Sequence, residues 1–179
     1  MQALIAEAEV DPEGWLADIA SRAEVRETLA GTGTMVWHIW GQGEPLVMLH
    51  GGHGAWNHFC RNVEPLAAAG FQVIVADLPG LGASDDPGPP YTAAGLAEMV
   101  LYGIKSLVDD DQLVHIAGFS FGSVIGATVA EMLGPRLASF NMVGAAGFCP
   151  RARTPDMMIK IHPEMERDDL REAARNNMA

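Results

Sequence analysis

The 179-residue sequence has only two cysteines, Cys60 and Cys149, which lie far apart and lack the spacing of metal ligands. A disulfide framework is therefore not indicated, and reduced thiols suit a cytoplasmic protein. Basic residues are also scarce, since 11 Lys and Arg stand against 23 Asp and Glu and give a formal net charge of −12. A chain this acidic is not expected to bind the phosphate backbone of a nucleic acid.

Long apolar runs are also absent. No stretch approaches the ~20 apolar residues that a bilayer-spanning helix needs. The first residues, MQALIAEAEVDPEGW, have no basic segment ahead of an apolar one, so a secretory signal is not expected. What remains is an ordinary globular composition with 49% hydrophobic residues. We therefore expect a cytoplasmic protein without a membrane partner.

Apolar segments separated by Gly, Pro and Asp turns predict alternating helices and strands. The predicted helices cover residues 2–29, 55–69, 92–108 and 121–133, and the predicted strands cover 34–40, 46–50, 71–76, 113–119 and the residues from 140 onward. Strands that are apolar throughout are typical of a sheet buried on both faces. The fold class is therefore α/β, a mostly parallel sheet with helices on both faces.

A serine stands between two glycines in the stretch Gly118-Phe119-Ser120-Phe121-Gly122. The stretch joins a predicted strand to a predicted helix, which is the context that a G-x-S-x-G nucleophile turn requires. Glycines suit so tight a turn because larger side chains would collide there. The N-terminus of the following helix favours the oxyanion that develops during acyl transfer. The pattern predicts that Ser120 is a nucleophile.

Two further glycine-rich loops follow predicted strands, HGGHG at residues 50–54 and DLPGLGASD at residues 77–85. Small residues allow backbone N–H groups to face a ligand. Loops at the carboxyl ends of parallel strands share one edge of the sheet, where open α/β sheets bind ligands. We therefore expect both loops to lie near Ser120. The second loop does not complete a G-x-G-x-x-G pattern, which argues against dinucleotide binding.

In order and spacing, these three motifs resemble the N-terminal part of an α/β-hydrolase fold serine hydrolase, over about residues 25–150. The resemblance implies that Ser120 is the nucleophile, that the N–H groups of Phe121 and Gly52 form the oxyanion hole, and that no metal or cofactor takes part. It implies a structural role for His50. The candidate substrate-pocket residues are His53, Trp56 and Phe119, although core packing explains the two aromatic residues equally well.

The same resemblance divides the chain into a helical extension at 1–29, an incomplete hydrolase core at 30–150 and the start of a cap or a tail at 151–179. In this family the order along the chain is serine, acid, then histidine. The only histidine after Ser120 is His162, in a polar segment with no strand before it. His53 and His58, which border the HGG loop, are weaker alternatives. We therefore expect a nucleophile and oxyanion hole without the general base.

Three consequences follow for function. A serine at the turn argues against haloalkane or epoxide chemistry, which similar families carry out with an aspartate, and favours hydrolysis of a small carboxylic ester or of a C–C bond in a dienone-type acid. Without its base the site is expected to be impaired, and a catalytically silent hydrolase-like domain is the alternative. An unfinished sheet also predicts a homo-oligomer, or pairing with a chain that supplies the missing strands.

Overall fold

The computed structural model describes residues 12–145 and residue 166. The described residues form six strands, four α-helices and two short 3₁₀ turns. The strands are β1 (Glu24–Ala30), β2 (Gly33–Trp40), β3 (Glu44–Leu49), β4 (Phe71–Ala76), β5 (Val114–Phe119) and β6 (Leu137–Val143), and the helices are α1 (Pro12–Ser21), α2 (Val63–Ala68), α3 (Ala93–Leu107) and α4 (Phe121–Leu133).

The six strands form one sheet in the order β1-β2-β4-β3-β5-β6. Strands β4, β3, β5 and β6 run parallel to one another, whereas β2 pairs antiparallel with β4, and β1 pairs antiparallel with β2 at one side of the sheet. The predicted α/β class with a mostly parallel sheet is confirmed. Because β3, β4 and β5 are parallel, the loops that follow them leave from the same edge of the sheet.

Apolar side chains fill both faces of the sheet. One cluster lies beneath α3 and α4, and its buried members include Trp37, Ile74, Ile104, Ile116 and Ile125. The other lies beneath α1 and α2, and its buried members include Ile19, Trp40, Phe59, Val63 and Val73. The buried indole nitrogens have partners, since Trp37 donates to Thr28 Oγ1 at 2.9 Å and Trp40 to the Ile19 carbonyl at 3.1 Å. Helices therefore cover both faces, as predicted.

The predicted helix over residues 2–29 is wrong in its last part. Helix α1 ends at Ser21, and residues 24–30 form β1, which pairs antiparallel with β2. Thr28 and Ala30 are buried while Leu29 between them is exposed, which is the two-residue period of a strand. Pairing with β2 outweighs the helix propensity of the local residues. The sheet thus begins before residue 30, and residues 2–11 lie outside the described part.

The predicted helix over residues 55–69 is broken into a 3₁₀ turn, Trp56–Phe59, and helix α2. Pro65 explains the break, because a proline cannot donate the backbone hydrogen bond that a continuous helix would need there. Proline is tolerated only in the first turn of a helix, and α2 begins two residues before it. The other helices agree with the prediction, and Thr92 Oγ1 caps α3 by accepting from the Gly95 N–H at 3.0 Å.

Strand β6 is the last strand of the described sheet and begins at Leu137, three residues before the predicted onset. It pairs with β5 on one side only, and Met142 and Val143 are 51% and 57% exposed. Oligomerisation or pairing with additional strands stays a prediction. The predicted start of a cap or tail at 151–179 lies outside the described residues, apart from Glu166.

Candidate active site

Ser120 occupies a sharp turn between the end of β5 and the start of α4. Its backbone has φ 51° and ψ −114°, a conformation that is rare for a residue with a side chain. Ser120 N–H donates to the Val143 carbonyl at 2.9 Å, which ties the turn to the end of β6. The serine is half-buried, and no hydrogen bond joins its hydroxyl to another described residue.

The two glycines of the motif are required by close backbone contacts. A Cβ on Gly118 would lie 2.6 Å from the Gly122 carbonyl oxygen, and one on Gly122 would lie 2.6 Å from the His50 carbonyl oxygen. Neither backbone segment has room to move away. Ser123 closes the turn from beneath, because its buried hydroxyl donates to the Gly118 carbonyl at 2.6 Å. The role of Ser123 was missed from the sequence, where only the flanking glycines attract notice.

The HGG loop lies directly against this turn. A Cβ on Gly51 would lie 3.3 Å from Ser120 Cβ, and one on Gly52 would lie 3.9 Å from Phe121 Cβ. The structure thus brings Gly52 and Phe121, the two predicted oxyanion donors, to the same side of Ser120. The N–H of Phe121 also stands at the N-terminus of α4, where the helix dipole favours negative charge. Their action as oxyanion donors stays a prediction.

His50 fixes the HGG loop to the DLPG loop. Its Nε2 accepts the Leu78 N–H at 3.0 Å, so the proton must be on Nδ1, which donates to the Gly51 carbonyl at 2.7 Å. Burial is the main cause that lowers the pKa of His50, which keeps the ring neutral. Both ring nitrogens are occupied by the backbone, so the ring has no nitrogen left to act on Ser120.

Asp77 ties three segments together. Its buried carboxylate accepts the Trp56 N–H at 2.6 Å, the Ala83 N–H at 2.9 Å and a hydrogen bond from His38 Nε2 at 3.3 Å. Burial alone raises the pKa of Asp77, but these hydrogen bonds outweigh it and hold the pKa below its ordinary value. The sequence analysis included Asp77 only as the first residue of the DLPGLGASD loop. The structure shows that the carboxylate also fixes the far end of the HGG loop.

With this geometry in place, comparison with known proteins is informative. Residues 44–179 match the family model described as the alpha/beta hydrolase fold. The chain belongs to the alpha/beta hydrolase family. The resemblance drawn from the three glycine motifs is thereby confirmed.

Two curated relatives of this hydrolase chain are each 38% identical to it. One is a 2-hydroxy-6-oxononadienedioate/2-hydroxy-6-oxononatrienedioate hydrolase of Cupriavidus pinatubonensis, matched over 63% of this chain and 39% of its own length. The other is a haloalkane dehalogenase of Mycobacterium marinum, matched over 63% of this chain and 38% of its own length. The chain therefore spans about two fifths of the length of these relatives.

Among solved structures, a bacterial membrane phospholipase A superposes with a TM-score of 0.68 over 82% of this chain and 49% of its own, at 23% identity. At that identity the likeness shows the fold alone. No helix in the described part of this hydrolase chain is long and apolar enough to cross a bilayer. Cytoplasmic localisation stays a prediction.

The three predicted pocket residues have different surroundings. The Trp56 ring lies in an aromatic cluster, 5.3 Å from the His38 ring and 5.5 Å from the Trp40 ring. His53 is exposed and has a positive φ of 59°. Phe119 is 38% exposed and lines a cleft of about 410 Å³ next to the turn. Of the three, Phe119 is the one that lines this cleft.

His58, which the sequence offered as a weaker alternative for the general base, lines the same cleft. Its ring lies 5.9 Å from the Phe119 ring and 5.9 Å from the His50 ring. Gly54 makes room for it, since a Cβ there would lie 2.6 Å from His58 Nδ1. His58 is the third histidine of the stretch HGGHGAWNH at residues 50–58, and this concentration of histidines is the sequence signal that could have placed it near the cleft.

Within residues 12–145, no histidine hydrogen-bonds to the Ser120 hydroxyl. His162 lies outside the described residues. No group of three or more His, Cys, Asp or Glu side chains in the described part could hold a metal ion. The described site therefore offers a strained serine and an adjacent glycine loop, and its chemistry would be nucleophilic.

Proposed function

We propose that this chain carries the nucleophile and oxyanion hole of a serine hydrolase that attacks a carbonyl substrate, either a carboxylic ester or a C–C bond next to a ketone. One observation supports this above the others. Ser120 is held at φ 51°, its hydroxyl has no hydrogen bond to another described residue, and the HGG loop lies against it. Strained backbone of this kind persists only where the surrounding structure enforces it, and it concentrates at active sites.

The proposed reaction starts with attack of Ser120 Oγ on the carbonyl carbon. Negative charge then develops on the carbonyl oxygen, where the N–H groups of Phe121 and Gly52 would stabilise it. The leaving group departs with the electron pair of the broken bond, and water releases the acyl group from Ser120. The serine proton needs an acceptor, and no described histidine is hydrogen-bonded to Ser120 to take it. We expect slow turnover when the acceptor is missing.

The relatives indicate which substrate class to test first. The relative from Cupriavidus pinatubonensis is named for a 2-hydroxy-6-oxo dienedioate, a ketone that carries carboxylates. Hydrolysis next to such a ketone breaks a C–C bond by the same serine attack. The haloalkane dehalogenase is a weaker guide, because residue 120 is a serine and similar dehalogenating families use an aspartate there.

A catalytically silent hydrolase-like domain is the second candidate, and the lack of a described histidine hydrogen-bonded to Ser120 favours it. A fluorophosphonate probe, read by peptide mass spectrometry, separates the two. The active site predicts an adduct on the peptide that contains Ser120, which is lost in Ser120→Ala. The Ser106→Ala variant is the matched control, since Ser106 lies exposed on α3.

Turnover of p-nitrophenyl acetate and of a 2-hydroxy-6-oxo-dienoate should be measured on the same three proteins. Turnover that falls in Ser120→Ala and persists in Ser106→Ala supports the proposal. Wild-type protein that forms no adduct on Ser120 and hydrolyses neither compound above background is the silent domain instead.

A further inference from the structure

Three side chains, Ser139, His115 and Glu44, form a hydrogen-bonded row at the edge of the sheet opposite Ser120. His115 Nδ1 lies 2.8 Å from Ser139 Oγ, and His115 Nε2 lies 3.2 Å from Glu44 Oε2. Glu44 and His115 stand at the beginnings of β3 and β5, whereas Ser120 follows the end of β5. Ser120 lies five positions along the chain from His115, which is about 16 Å along a strand. The row is therefore distinct from the site described above.

The hydrogen bonds fix the direction of each proton. A carboxylate is an acceptor only, so His115 Nε2 must donate its proton to Glu44. In the neutral ring Nδ1 then has a free lone pair and accepts from the Ser139 hydroxyl. A serine that donates to an imidazole, which in turn donates to a carboxylate, is the arrangement that activates a nucleophile in hydrolases. In the usual arrangement Nε2 faces the serine and Nδ1 faces the carboxylate. Here Nδ1 faces Ser139 and Nε2 faces Glu44.

Neighbouring groups hold this row in place, Ser139 is half-buried, and the other two members border an open cleft. The Phe71 ring packs edge-on against His115 at 5.6 Å, and Asn141 Nδ2 donates to Ser139 Oγ at 3.4 Å. A bulge between β5 and β6 pairs His115 with Ser139 and leaves Ala138 without a partner across the ladder. Ala138, His115 and the 74% exposed Glu44 border a cleft of about 710 Å³.

We propose that Ser139 is a second base-activated nucleophile that accepts acyl groups from small uncharged esters. Ser139 Oγ forms a bond to the acyl carbon while its proton passes to His115 Nδ1. The bond from the acyl carbon to the alcohol oxygen breaks, and the alkoxide or phenolate leaves with the electron pair. The negative charge of Glu44 stabilises the imidazolium that forms and disfavours anionic esters. Acyl-Ser139 is the product.

The test uses the Ser120→Ala chain, so that the first nucleophile is absent. The protein is incubated with p-nitrophenyl acetate, and acetyl occupancy is measured at each serine by peptide mass spectrometry. Exposed Ser106 is the internal reference, because its hydroxyl donates only to the Tyr102 carbonyl, at 2.9 Å. We expect Ser139 to react about 100-fold faster than Ser106, the lower end of what a general base contributes.

Two variants on this background test the role of the row. His115→Ala should reduce Ser139 acetylation to the rate of Ser106. Glu44→Gln keeps the size of an exposed side chain and removes its charge, and should slow acetylation about tenfold. Circular dichroism checks that both variants fold. If His115→Ala does not fold, the acetylation rate of Glu44→Gln alone tests the proposal. Equal acetylation of Ser139 and Ser106, or a Ser139 rate that the folded variants leave unchanged, overturns the proposal.

Discussion

Replacing Asp77 by asparagine tests whether the buried carboxylate holds the active-site loops together. Asparagine keeps one acceptor oxygen for the Trp56 N–H but turns an NH₂ group toward the Ala83 N–H, so two donors face each other. A hydrogen bond to a charged group contributes about 1.5–3 kcal/mol, and a buried donor without a partner costs about 1–3 kcal/mol. We expect Asp77→Asn to lower the free energy of unfolding by about 3 kcal/mol at neutral pH.

Thermal unfolding followed by circular dichroism measures this loss. For a chain of this size, about 3 kcal/mol corresponds to a decrease in Tm of roughly 6–12 °C. Asp86→Asn is the matched control, since Asp86 is an exposed carboxylate bonded to the Gly88 N–H and to the Tyr91 hydroxyl. That change should alter stability by no more than about 0.5 kcal/mol.

The pH dependence gives a second, independent check. The pKa of Asp77 is lowered on folding from its ordinary 3.8, so the unfolded chain takes up this proton first as pH falls. The stabilisation from the carboxylate is therefore fully present above the unfolded pKa and is lost as pH falls through the folded pKa. The Tm difference between wild type and Asp77→Asn should shrink below about pH 4. A difference that is absent at pH 7, or constant down to pH 3, would refute the argument.

Three further changes test single contacts, each by thermal unfolding together with fluorophosphonate labelling of Ser120. Gly122→Ala places a methyl group against the His50 carbonyl, so it should lower the free energy of unfolding by about 1–3 kcal/mol and abolish labelling. Labelling at the wild-type rate would contradict this expectation. Ser123→Ala leaves the Gly118 carbonyl without its donor and should cost about 1 kcal/mol; unchanged stability would show that this bond is dispensable. Thr92→Ala removes the cap of α3 and should cost about 1 kcal/mol with labelling unchanged, whereas Thr92→Ser should be neutral.

The sequence was most predictive where one short motif determines the backbone. Strand β4 and helix α4 have the predicted bounds, and Ser120 lies at the predicted junction. Each of these segments has its own signal, either a continuous apolar run or glycines at fixed offsets. The nucleophile turn was predictable because steric contacts at Gly118 and Gly122 exclude larger residues. The two glycines in the sequence therefore indicate the turn directly.

Prediction failed where distant segments decide the outcome. Residues 24–30 carry charged residues at helical spacing, and only pairing with β2 makes them a strand. The hydrogen bonds of Asp77 join residues that are 21 and 39 positions away, and those of His115 reach Glu44, 71 positions away. Such contacts depend on strand order in the sheet, which no local pattern specifies.

The contacts that hold Ser120 in its strained conformation lie within residues 12–145. The strain of such a conformation costs about 1–3 kcal/mol and relaxes unless packing prevents it. Here the Ser120 N–H is bound by the Val143 carbonyl, Ser123 bonds back to Gly118, and Gly122 has no room to move from β3. His50 separately fixes the loop that carries Gly52. These contacts within the described core hold the proposed nucleophile in its turn and fix the loop of the proposed oxyanion donor Gly52.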